Sequence, residues 1–131
     1  MEASSVRAIL FVKDLQKVAA FYVGALALRR VSGDVDHAVL ECNGFELAVH
    51  QIPKPIAETI VVTQPPVRRV LSAIRLDFPV ASIGDSRKLA RALGGEIDDA
   101  PPAWADRTAN LFFGHDPEGN QFGVSERKPS A

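Results

Sequence analysis

The chain has one cysteine, one tryptophan and one tyrosine in 131 residues, and the first of these scarcities already excludes something. With Cys42 alone, no disulfide can form within the chain, so a reducing, cytoplasmic setting is expected. The thiol itself reads as a small buried hydrophobe. Charge of either sign is not in surplus. A formal net charge of −1 removes any electrostatic argument for nucleic acid or an anionic membrane as a partner. No apolar run approaches the roughly 20 residues that cross a bilayer. The stretch Ala8 to Val12 is too short for the apolar part of a signal peptide and leads straight into Lys13 and Asp14. Also missing are the glycine-rich fingerprints of nucleotide binding, C-x-x-C, H-E-x-x-H and the G-x-S-x-G elbow. What remains is a soluble globular composition, 47% hydrophobic and 24% charged, at a length that suits one domain over residues 1–131.

The pattern along the chain is written twice. RAILFVKDL, Arg7 to Leu15, alternates like a half-buried strand and meets Asp14, a helix N-cap. Leu15, Val18, Ala19 and Tyr22 then follow at helical spacing, with Gly24 as the expected stop. RLDFPVASI, Arg75 to Ile83, alternates in the same way; Ser82 is the cap and Ser86, Leu89, Ala90 and Leu93 form the stripe, ended by Gly94-Gly95. Each helix is followed by three short strand candidates: LRRVS, HAVLEC and FELAVHQ, then GEID, ANLFFG and NQFGVSE. The expected division is repeat one over about 6–52, a proline-rich linker over about 53–70, and repeat two over about 71–126. Within the linker IVVT, Ile60 to Thr63, offers an extra strand. Trp104 follows Pro101-Pro102 in an irregular loop, and Lys128 to Ala131 reads as a loose tail. One helix cannot cover both faces of its sheet, so two such units paired sheet to sheet make a cup with helices outside and a cleft within.

The stretch GHDPEGNQFGVSER, Gly114 to Arg127, is the most distinctive. Asp116 can accept backbone N–H bonds, Pro117 presets the second turn position and Gly119 tolerates positive φ, so the acidic residues here have a structural task. His115 is placed to brace Asp116.

Together FVKDLQKVAAFYVGALAL (Phe11 to Leu28), FFGHDPEGNQFGV (Phe112 to Val124) and the duplication resemble the vicinal oxygen chelate superfamily: glyoxalase I, extradiol dioxygenases, fosfomycin-resistance enzymes and bleomycin-resistance proteins. The resemblance implies an α+β fold of two βαβββ repeats forming a cup-shaped, mostly antiparallel eight-stranded sheet, and a homodimer. It also implies metal ligands, usually His and Glu, at four inward positions. Counted from Val12 and Val80, and from Gly44 and Gly119, those positions are Arg7, Arg75, Ala48 and Gly123. A guanidinium has no lone pair to give, and alanine and glycine have no donor atoms, so no metal and no other cofactor is expected there. Alternation supports the phasing: in each of these strands the opposite face is the more apolar, as with Ile74, Leu76, Phe78 and Val80, which are expected to face the helix when Arg75 faces inward.

With that phasing Arg7, Ile9, Phe11, Glu46, Ala48, His50, Arg75, Asp77 and Gly123 face the cleft, joined by Phe113 and Trp104, the latter as a lid candidate. Ala48 and Gly123 are expected to leave open volume. The two arginines need compensation, either from Asp77 and Glu46 as an internal ion-pair network or from an anionic ligand. His50 is the candidate general base, since histidine is the side-chain type that serves most often in that role at neutral pH; His37, with Glu41 or Glu46, is a candidate for a relocated metal site. The leading expectation is a protein that has lost the family metal site and binds a small anionic or aromatic molecule. A metal-dependent or arginine-assisted lyase, isomerase or dioxygenase is the alternative, and a module whose cleft is filled by its own side chains is a third reading.

Overall fold

The structure, a computed structural model, describes residues 6–104 and 110–127. The tail from Lys128 to Ala131 and the first residue of the expected ANLFFG strand lie outside the described residues. Strand β1 (Val6–Val12) runs into Asp14, whose side chain accepts from Lys17 N at 3.2 Å and so starts helix α1 (Leu15–Leu26). β2 (Arg29–Gly33), β3 (His37–Cys42) and β4 (Phe45–Gln51) complete the first half. After the short helix α2 (Lys54–Ala57) and the linker, β5 (Leu76–Val80) leads to α3 (Ile83–Ala92). Here Ser82 Oγ accepts from Asp85 N at 3.2 Å, the second cap. β6 (Glu96–Ile97), β7 (Leu111–His115) and β8 (Gln121–Glu126) follow.

The strands form two four-stranded sheets, ordered β1-β4-β3-β2 and β5-β8-β7-β6, and the sheets do not close into a barrel. Among the eight described strands β1 with β4 and β5 with β8 are the parallel pairs, because a helix crosses over between the first and last strand positions of each half. The expected eight strands are therefore present as two separate sheets, and among the described residues β1 and β5 each keep one edge without a strand neighbour.

Helix α1 explains why the halves form one core. It buries Leu15, Val18, Ala19, Phe21, Tyr22, Ala25 and Leu26, more than a single stripe, whereas α3 buries only Ile83, Ser86 and Ala90. The extra burial arises because α1 meets both sheets. Phe21 and Tyr22 stack against Phe122 at 5.8 and 6.2 Å, and Tyr22 against Phe78 at 5.9 Å, while Leu40, Leu47 and Val49 approach from the first sheet. Each fully buried large apolar side chain contributes roughly 2 kcal/mol, which makes this shared layer the main stabilising element.

Four local expectations are corrected. The helix does not stop at Gly24; it continues to Leu26 and ends at Ala27 in the left-handed region, φ 58°. Gly24 is instead a point of close approach, where a Cβ would meet Leu93 Cδ1. Ile60 to Thr63 is not a strand, because Lys13 Nζ donates to the carbonyls of Ala57 and Ile60 at 2.8 and 2.6 Å and holds this segment without a sheet neighbour. Leu89 points outward on α3, and Ile74 is exposed because β5 begins only at Leu76.

Candidate functional site

The D-P-E-G-N turn holds the two halves together. Asp116 is fully buried and accepts from Glu118 N at 2.8 Å, Asn120 N at 3.1 Å and Tyr22 Oη–H at 2.8 Å, with Asn120 Nδ2 also donating. Burial raises its pKa despite these bonds, and burial beside Asp116 pushes the Tyr22 phenol well above its usual value. Glu118 accepts from Lys13 N and Asp14 N, both at 2.8 Å, so this turn clamps the start of α1. Gly119 has φ +85° and lies against Val67 O, a place no side chain fits. His115 contacts Asp116 O at 3.0 Å, as expected. Every acidic group of the turn is thus engaged in structure.

On the first sheet, strand register places the candidate residues on one face, turned away from α1. Arg7, Ile9 and Phe11 pair with Glu46, Ala48 and His50, which pair in turn with Glu41, Val39 and His37. Three rows result. The charged row runs Arg7, Glu46, Glu41, Arg29, with Arg7–Glu46 at 2.7 Å and Arg29–Glu41 at 2.8 Å, so two like charges in the middle are bracketed by two guanidiniums. The bond from the Arg29 guanidinium, with a second from Gly44 N, lowers the pKa of Glu41. The middle row is apolar: Ile9, Ala48 and Val39. The third row is aromatic: Phe11 meets the edge of His50 at 5.8 Å, and His50 lies 5.7 Å from His37.

On the second sheet Asp77, Gly123 and Phe113 form one row. Arg75, just before β5, is bonded twice to Asp77, at 2.7 and 2.9 Å, and its guanidinium carbon lies 4.5 Å from the centre of the Phe113 ring. The bond to Asp77 raises the Arg75 pKa further. Trp104 continues the stack, 5.8 Å from Phe113, and is 69% exposed. Gly123 does not leave open volume. A Cβ there would collide with Asp77 Oδ1 and approach Leu111, so the glycine is what lets the carboxylate lie flat against the strand.

Both arginines thus find carboxylates within their own sheet, and Glu46 and Asp77 are those partners. The two groups of candidate residues are not brought together in one chain: among the described residues no ion pair or ring stack joins them. Their faces are open, with Ile9 52% and Phe11 65% exposed. Between the free edges of β1 and β5 lies a cavity of about 450 Å³ reaching inward to Tyr22 and Phe78. Among the described residues no three His, Cys, Asp or Glu side chains gather as a metal cluster. The expected companionship of His37 with Glu41 or Glu46 does not form; its neighbours are His50 and Asp34. That contact was readable in principle: Asn43 and Gly44, both with positive φ, make a two-residue hairpin turn, and counting outward from it pairs residue 37 with residue 50.

Comparison with known proteins agrees with this frame. The family model described as a glyoxalase-like domain matches residues 7–125. No curated protein matches the chain. Among solved structures, a glyoxalase/bleomycin resistance protein from Albidiferax ferrireducens T118 is 18% identical, with a TM-score of 0.61 and coverage of 96% of this chain and 100% of that one. A glyoxalase-related enzyme from Fulvimarina pelagi is 20% identical, with a TM-score of 0.64 and coverage of 93% and 86%. The fosfomycin resistance protein FosX from Listeria monocytogenes is 15% identical, with a TM-score of 0.64 and coverage of 100% and 95%. At these identities the likeness is one of fold.

Proposed function

The chain belongs to the glyoxalase-like domain family, within the vicinal oxygen chelate superfamily, and from that premise we propose that it binds a flat, largely uncharged small molecule without a metal at the family's ligand positions. The observation that carries this reading is the stack of Trp104, Phe113 and Arg75, with Asp77 already neutralising the guanidinium. Arg7 is neutralised likewise by Glu46. A ligand anion would have to displace a carboxylate held by two bonds, whereas an aromatic ring needs only the exposed indole and phenyl faces. Arg7, Ala48, Arg75 and Gly123, at the positions the resemblance assigns to metal ligands, supply no donor for an ion. The role that follows is sequestration, sensing or resistance.

In this reading the cleft is completed by a second copy of the chain. Two observations support a homodimer: the open faces leave large apolar side chains in water, and among the described residues β1 and β5 each present an unpaired edge, which folded proteins normally cover. Apposing the first sheet of one copy with the second sheet of the other would set Ile9 and Phe11 opposite the Trp104 stack.

Trp104 is the sole tryptophan, so its fluorescence reports on the site directly. In buffer containing EDTA, neutral bicyclic aromatics should quench it saturably, and Phe113→Ala should weaken binding at least about tenfold. Binding restricted to small carboxylates or phosphates would sink the aromatic reading. Turnover that appears only when metal is restored, with no binding in EDTA, would instead favour the lyase, isomerase or dioxygenase alternative.

A further inference from the structure

We propose that His37 and His50 form a two-histidine binding site for a late first-row divalent cation, Zn²⁺, Ni²⁺ or Cu²⁺, away from the positions just described. The two residues are direct partners across the β3–β4 ladder and project from the same face. Their ring centroids are 5.7 Å apart, with 41° between the planes. Two imidazoles bound through one nitrogen each to a tetrahedral ion, at metal–nitrogen distances of about 2.1 Å, place their centroids roughly 5 to 6 Å apart. The pair therefore stands at the separation that one shared ion requires.

The surroundings favour the ion over an ordinary pair of surface histidines. Asp34 Oδ1 lies 2.9 Å from His37 Nδ1, which holds the proton on that nitrogen and leaves the lone pair on Nε2. The carboxylate is itself fixed, accepting from Asp36 N at 2.8 Å and His37 N at 3.1 Å. This is the carboxylate–imidazole arrangement that orients histidine ligands in metal proteins and raises their basicity. On the other side Phe11, at 5.8 Å, restrains the His50 ring. Imidazole ligands suit zinc, nickel and copper rather than magnesium or calcium, which fixes the class of ion. With only two protein donors, the remaining coordination positions stay open to water or to a ligand of the neighbouring cleft.

The site is independent of the aromatic-ligand reading and is tested separately. The tag-free full-length chain, stripped with EDTA, is titrated calorimetrically with NiCl₂, ZnCl₂ and CuCl₂. The expected result is saturable binding of micromolar order, one ion per chain. His37→Gln and His50→Gln, checked for native circular dichroism, should each lower affinity at least about tenfold, and Asp34→Asn about tenfold through the outer shell. The Cu²⁺ complex should show hyperfine coupling to two imidazole nitrogens, reduced to one in either histidine variant. No saturable binding below millimolar ion, or binding of unchanged strength in either folded histidine variant, overturns the assignment.

Discussion

The last strand of each half ends on a residue with the same task and different chemistry. Gln51 closes β4 and accepts from Leu15 N at 3.0 Å, at the start of α1; Glu126 closes β8 and accepts from Ile83 N at 3.0 Å, at the start of α3. The arginines of the first strands repeat the theme. Arg7 reaches across to Glu46 on the neighbouring strand, while Arg75 turns back to Asp77 two residues on and lies over Phe113. The hairpin turns differ most: Asn43-Gly44 is exposed, whereas Asp116, Pro117 and Gly119 are buried and Glu118 grips the other half. The two halves share backbone frame and helix capping, and they differ in the open faces and in this one asymmetric clamp.

The clamp should therefore carry the largest effect. Asp116→Ala would leave the Tyr22 hydroxyl and the Glu118 and Asn120 amides buried without their acceptor, at a cost of about 3 kcal/mol in urea unfolding. Tyr22→Phe removes one bond of the same network and should cost about 1 kcal/mol. The two should couple in a double-mutant cycle. An Asp116→Ala variant as stable as the parent would show that the halves are held by apolar packing alone.

Much of the frame was legible because it is local. Alternation on either side of Val12 and Val80 placed Arg7, Ile9 and Phe11 on one face, and the pairings of β1 with β4 agree with that phase. Asp14 and Ser82 were readable as caps because a cap and its partner amide are three residues apart. Glu46 and Asp77 were nameable as partners of the arginines for the same reason of shared face. What escaped was set by distance along the chain. Phe21 looked off-stripe because nothing local says that α1 has two sheets to satisfy. Tyr22 and Asp116 are 94 positions apart. The separation of the two candidate groups depends on how the halves pack, which no period in the sequence encodes. Gly123 was misread because an empty side chain signals equally a void or a neighbour that needs the room.

An exchange of the strand-end residues should have an intermediate and unequal effect. Gln51 Nε2 donates to Lys13 O at 2.6 Å and Ile52 O at 2.9 Å, so Gln51→Glu would aim a carboxylate oxygen at two carbonyls in a half-buried place. We expect a loss of about 2 kcal/mol. Glu126 is exposed, and Glu126→Gln keeps its acceptor oxygen while giving up a favourable charge at a helix N-terminus, so its cost should stay within about 0.5 kcal/mol. Equal costs at the two positions would mean that the capping amide alone matters and that the extra bonds of Gln51 contribute nothing.

A similarly modest effect on stability should come from exchanging Ala48 and Gly123, and it bears most on the open faces. Ala48 is buried beside Ile9 and Val39 in its row, so Ala48→Gly loses a methyl and frees the strand, costing about 1 kcal/mol. Gly123→Ala would push Asp77 off the strand, but the Arg75–Asp77 pair is part-exposed and such pairs contribute little to stability, so about 1 kcal/mol or less is expected there too. The two should part company in the Trp104 titration. With Asp77 displaced, the Arg75 guanidinium is released toward the ligand, so Gly123→Ala should bind small aromatic carboxylates more tightly relative to their neutral counterparts, while Ala48→Gly leaves that ratio unchanged. An unaltered ratio in Gly123→Ala would mean that Asp77 is not what neutralises the arginine beneath the stack.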